Sequence, residues 1–163
     1  MTGKLSWLAN STRPDLSYTA LAMSKKNNST QIKDLRDITR VITKAKERPS
    51  KIKFSKIARK ENSIVVGVGD ASFKSDDKAI GGVLLFLANE EMTRVTPIFW
   101  KSKTIARVCY NSKDAETISI SKMMDDAIFA ARQIETLYYR EYKRRIKVWL
   151  FTDSEPSLES IAS

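Results

Sequence analysis

The 163-residue sequence contains no histidine. That absence removes Ser-His-Asp and Cys-His nucleophilic chemistry, histidine-ligated zinc and imidazole general bases in one step. Cysteine occurs once, at Cys109, so no intrachain disulfide can form and an intracellular setting is the expectation. Long hydrophobic runs are missing. The longest strongly apolar stretch, Ile80 to Ala88, is far too short to span a bilayer. No secretory pattern opens the chain, and there are no internal repeats or low-complexity segments. What remains is a hydrophobic fraction of 42%, enough for one domain with a proper core and a small appendage. No membrane partner is expected.

Charge is unevenly spread. Residues 1–62 hold 15 Lys+Arg against 5 Asp+Glu, and the remainder holds 14 of each, so the whole net charge of +10 lies in the N-terminal part. Such asymmetry points to a polyanionic partner, nucleic acid first, with a solvated surface or an acidic protein neighbour as the alternatives.

The N-terminal part reads as helical. Residues 3–12 suit a short helix with Leu5 and Leu8 inward. Pro14 opens a second helix running to about Lys26, where Asp15 suits the N-terminal dipole. Asn27-Asn28-Ser29 reads as a loop, and Thr30 is the expected cap of a third helix. Ile32, Leu35, Ile38, Val41, Ile42 and Ala45 form its apolar face. The opposite face repeats Arg36, Arg40, Lys44 and Arg48, a stripe that either tracks phosphates or is merely solvated. Pro49 stops the helix. A domain boundary falls in the basic stretch that follows, with a short strand expected near Ile52-Lys53-Phe54.

From Ile64 the pattern changes to strands, at 64–70, about 79–87 and about 95–101, joined by short polar loops that predict antiparallel neighbours. Pro97 argues that the third lies at a sheet edge. A long helix runs from Ser112 to about Tyr139, with Glu116, Ile120, Met123, Ala127, Ala130, Ala131, Ile134 and Leu137 on its inward face. A basic run from Arg140 leads into a fourth strand, 147–153, apolar on both faces like a central strand. Pro156 then permits a helix that has scarcely begun at Ser163.

Three acids stand at the ends of these elements. Asp70 follows the first apolar run, Glu116 lies in the first turns of the long helix, and Asp153 follows the fourth strand. Unpaired charges there are costly unless partnered or bound to metal. If they converge they make an oxygen-only site suited to Mg²⁺ or Mn²⁺.

The words around these acids are specific. Asp70-Ala71-Ser72, Ser112-Lys113-Asp114-Ala115-Glu116 and Thr152-Asp153-Ser154 resemble three signatures of the ribonuclease H fold. Trp100-Lys101-Ser102-Lys103 adds a mark of its copia-type retrotransposon branch. Gly3 to Ala9 followed by Thr12-Arg13-Pro14-Asp15-Leu16-Ser17-Tyr18 is similar to the segment that joins reverse transcriptase to ribonuclease H in copia-type Pol polyproteins. The resemblance covers nearly the whole chain.

It implies an α/β fold with a mixed sheet, the first three strands antiparallel and the fourth parallel to the first, C-terminally incomplete and preceded by a small helical segment. The domains would be 1–50, a connection segment after reverse transcriptase, 51–62, a basic linker or short strand, and 63–163, the ribonuclease H-like part. The strand order implied is 3-2-1-4-5, with strand 147–153 inside. The implied activity is endonucleolytic hydrolysis of the RNA strand of an RNA/DNA hybrid by two divalent metals, Mg²⁺ or Mn²⁺. Asp70 would bridge both ions, with Glu116 and Asp153 completing the one on the leaving-group side. Ser72 and Ser154 are either substrate-backbone contacts or ordinary turn and capping serines. The hybrid would be read through phosphates and 2′-hydroxyls.

The family's fourth carboxylate lies on a C-terminal helix that this sequence does not reach, and Glu155 and Glu159 read as helix-start acids. Partners implied are the hybrid, the reverse transcriptase portion of the same polyprotein, and a C-terminal continuation or partner chain completing the sheet. Loss of the fourth acid would leave one metal position and little turnover, which keeps open a non-catalytic nucleic-acid- or protein-binding module.

Overall fold

The computed structural model describes residues 2–56, 63–74, 77–138 and 145–154. The chain divides into two compact units, Met1–Ile52 and Lys53–Ser163. No helix among the described residues is long and apolar enough to cross a membrane.

The first unit contains α1 (Thr2–Ser11), α2 (Ser17–Ser24) and α3 (Ile32–Glu47), with short 3-10 turns at Pro14–Leu16 and Asn27–Ser29. Leu5, Ala9, Leu16 and Ala20 are buried together, and Leu8, Met23, Val41 and Ala45 pack against them. Pro14 begins the turn before α2, as its fixed φ favours. Asp15 is the acid of this first turn, and it is also half of an ion pair. It takes the Arg13 guanidinium through Nε at 2.9 Å and Nη2 at 2.7 Å, while Nη1 donates to the carbonyl of Ala45 at 2.9 Å.

The cap of α3 is Gln31 and not Thr30. Gln31 and Asp34 form a reciprocal capping box, and the Thr30 hydroxyl donates to the carbonyls of Lys26 and Asn27. Asp34 is buried and paired with Lys26 at 2.7 Å. This pair and the box fix the rotation of the first turn. The inward stripe is therefore Asp34, Ile38, Val41 and Ala45, and Ile32 and Leu35 are left exposed. The helix ends at Glu47, two residues before Pro49.

The second unit is built on β1 (Ser63–Lys74), β2 (Asp77–Asn89), β3 (Val95–Thr104), α4 (Ser112–Leu137) and β4 (Lys147–Phe151). The sheet order is β3-β2-β1-β4. β2 is antiparallel to both β1 and β3, and β4 is parallel to β1. This is the α/β mixed sheet that the sequence implied. The strands run past their expected ends because the β1–β2 ladder continues to the pair Lys74↔Asp77. Asp70 thus lies within a strand and not at its end.

α4 covers one face of the sheet. Val65, Val83, Leu85, Ile120, Met123, Ala127 and Ala131 form the main core beneath it. Leu137, expected inward, is exposed at the helix end. A Cβ on Gly67 would lie 2.9 Å from Leu150 Cδ2 and 3.0 Å from Met123 Cγ, so this glycine lets α4 and β4 close on β1.

β3 is an edge strand, as Pro97 requires. A bulge accompanies the proline, since Leu85 pairs with Phe99 and Phe86 with Pro97, leaving Ile98 unmatched. Residues 52–54 form no strand. The neighbouring Ser55 is anchored instead to the Thr96 hydroxyl, which accepts from its N–H and donates to its carbonyl, both at 2.9 Å. β4 pairs only with β1 among the described residues, so it is an edge and not an interior strand there. Val148 and Leu150 pack under α4, whereas Trp149 and Phe151 on the other face remain partly exposed. The helix expected from Pro156, and the acids Glu155 and Glu159, lie outside the described residues.

Candidate metal-binding carboxylate site

Register brings two of the acids to one end of the sheet. The parallel β1–β4 pairing closes at Val68↔Phe151, and Asp70 and Asp153 each stand two residues further along. β1 continues while β4 stops, so the β4 side of β1 opens at Asp70. There the buried hydroxyl of Ser119, on α4, donates to the carbonyl of Asp70 at 3.0 Å.

Glu116 arrives from the helix. The cap of α4 is Asn111, whose side chain accepts from the N–H of Asp114 at 2.9 Å, while the Asp114 carboxylate accepts from the N–H of Tyr110 at 3.0 Å. Glu116 follows in the next turn. Its Oε1 accepts from the Ser112 hydroxyl at 2.6 Å and its Oε2 from the Ser154 hydroxyl at 2.5 Å. Ser154 is buried, and its N–H donates to the Thr152 hydroxyl. The Ser112 hydroxyl first, then that of Ser154, hold the Glu116 carboxyl below its ordinary range against the opposing effect of desolvation.

α4 is therefore tied to β1 through Ser119 and to the end of β4 through Glu116. The side chains do not meet on one point. The Cβ directions of Gly67 and Gly69 run into Met123 of α4, so strand alternation turns the Asp70 side chain to the opposite face. Its Oδ1 accepts from the following N–H, of Ala71, at 2.6 Å. Asp70 and Asp153 are both exposed. Among the described residues no three His, Cys, Asp or Glu side chains are grouped to hold a metal ion. The donors fit Mg²⁺ or Mn²⁺ in kind, being carboxylates and hydroxyls only. They do not form an ion cage as oriented, because both oxygens of Glu116 are engaged by serines.

The other expected residues divide. Ser72 shares a strand face with Asp70 and is half-buried. Ser154 is bonded to Glu116. Arg36, Arg40 and Lys44 form an exposed face of α3 in the first unit, with Arg48 exposed at its C-cap and Arg40 3.7 Å from Asp37. Ser119 was missed by sequence reasoning. Its only signal was a hydroxyl three residues after Glu116, in a helix face otherwise apolar. Comparison with protein-family models, with curated proteins and with solved structures found no match.

Proposed function

We propose that this chain is a ribonuclease H-type endonuclease acting on the RNA strand of RNA/DNA hybrids, in the setting of a retroelement Pol polyprotein. One observation carries the reading. The three acids stand at one end of a mixed sheet whose strand order and directions are those the resemblance implied, with α4 pinned there by Ser119–Asp70 and Ser154–Glu116.

Asp70, Glu116 and Asp153 would hold the divalent ions, which supply water activation and neutralisation of the leaving oxygen. The protein's own contributions are separable. Ser112 and Ser154 hold the Glu116 carboxyl below its ordinary range and donate to both of its oxygens, which fixes its rotamer. A buried Ser154 bonded to Glu116 suits positioning better than contact with substrate. Ser72, on the face of Asp70, and the exposed stripe from Arg36 to Arg48 are the proposed backbone contacts.

The test is cleavage of a labelled hybrid in Mn²⁺ by the wild-type chain and by Asp70→Asn, Glu116→Gln and Asp153→Asn. RNA-strand cleavage that disappears in each isosteric variant is expected. Cleavage that survives Asp70→Asn overturns the reading. A second reading, a non-catalytic nucleic-acid-binding module, is favoured specifically by the engagement of Glu116 with two serines. Salt-dependent hybrid binding, without cleavage and unchanged by Asp70→Asn, would establish it.

A further inference from the structure

An open groove of about 550 Å³ runs between α4 and the C-terminal end of β3. Its floor is apolar, with Val83, Ile105 and Ile118, and its rim carries Lys103, Arg107 and Lys122. Two of the four lining cations are offset by neighbouring acids. Lys101 is in an ion pair with Asp126, whose buried Oδ2 lies against the ammonium without hydrogen-bond alignment. Lys122 lies 3.6 Å from Asp125 on the helix surface. Lys103 and Arg107 are exposed and pair with no carboxylate among the described residues.

The groove runs along the first half of α4, on the side of the helix turned towards β3. Ser119, which donates to the Asp70 carbonyl, also lines the groove, and Glu116 lies one turn before it on α4. A Cβ on Gly81 would fall 3.0 Å from Ser119 Oγ, so glycine keeps this junction open. From Glu116 to Lys122 is six helical residues, about 9 Å of axis. At 3.4 Å of axis per phosphate that is roughly two to three nucleotides of one strand. The loop carrying Arg107 also holds out Tyr110, 86% exposed.

We propose that this groove is a phosphodiester subsite for a nucleic-acid strand that passes between α4 and β3, with Lys103 and Arg107 on its phosphates and Tyr110 stacking on a base. For the identity of its ligand the proposal rests on the hybrid-cleaving reading. Exposed cations without partners give affinity without base preference, and an exposed aromatic adds stacking that tolerates any sequence.

The test is metal-free anisotropy binding of labelled hybrids to the full chain over a salt series. Lys103→Ala/Arg107→Ala is compared with Arg145→Ala/Lys147→Ala, an equal charge change at the start of β4. The groove variant is expected to lower the log–log salt slope by about two and to weaken unrelated sequences equally. The control should change less, and Tyr110→Ala should weaken binding with the slope kept. A groove variant matching wild type or the control overturns the proposal. So does full displacement of the hybrid by inorganic phosphate at equal phosphate concentration, which would mark an isolated anion site. The two readings fail separately. Unchanged binding with wild-type cleavage in the groove variant removes only the subsite. A groove-dependent slope with cleavage that survives Asp70→Asn removes only the nuclease.

Discussion

Glu116 is held by two hydroxyls from different parts of the chain, one four residues earlier on α4 and one beyond β4. Removing either donor should raise its pKa toward the ordinary 4.5, with Ser112→Ala moving it further than Ser154→Ala. Carboxyl-carbon NMR titration reads this directly. Because the folded value is depressed, these bonds stabilise the protein above pH 4.5, and that contribution is lost as pH falls through the lowered value. Acid unfolding of both variants should therefore be less steep below pH 4.5, and a Glu116 titration identical to wild type would contradict the assigned contacts. The three acids were singled out because each sits in a short motif that resembles a known signature. Their partners were not. Ser119 bonds a carbonyl 49 residues away and Ser154 a carboxylate 38 residues away, separations that no local pattern records.

Elements were read well where periodicity governs and less well where a single polar pair overrides it. α4 buries Ala115, Ser119, Ile120, Met123, Ala127 and Ala131, close to the expected face. α3 shows the opposite case, since the Lys26–Asp34 pair and the Gln31 box turn its first residues so that two large aliphatics face out. In the sheet, close approach is decided by glycine. Gly67→Ala should cost about 1–3 kcal/mol in chemical denaturation, because its Cβ meets both Leu150 and Met123. Gly82→Ala, whose nearest contact would be an ordinary 3.8 Å to the Asp70 carbonyl, should fall within about 0.5 kcal/mol of wild type. Equal costs at the two positions would mean that backbone entropy, and not packing, sets the effect.

At the scale of the whole molecule, net charge and architecture are segregated. The excess of +10 falls in residues 1–62, while the acids, sheet and groove belong to the second unit. If the α3 stripe neutralises phosphates, Arg36→Ala, Arg40→Ala, Lys44→Ala and Arg48→Ala combined should lower the salt slope of hybrid binding by about 0.9 for each phosphate left without its cation. A merely solvated face would leave the slope unchanged. The sheet order was legible once the motifs were ordered along the chain, and Pro97 alone predicted one edge. The exposure of Trp149 and Phe151 was not, because an apolar residue on a strand does not record whether a neighbour covers it.

The sequence by itself determined the long helix α4, the antiparallel run of three strands and the edge position of β3. Each follows from interactions within a few residues, namely periodicity, short polar loops and the missing N–H of proline. Only the tertiary structure decided where the carboxylates of Asp70, Glu116 and Asp153 point, that Asp70 lies inside its strand, and that Lys103 and Arg107 rim a groove between α4 and β3. Orientation depends on strand register and helix rotation, which are fixed by contacts between residues far apart in the chain.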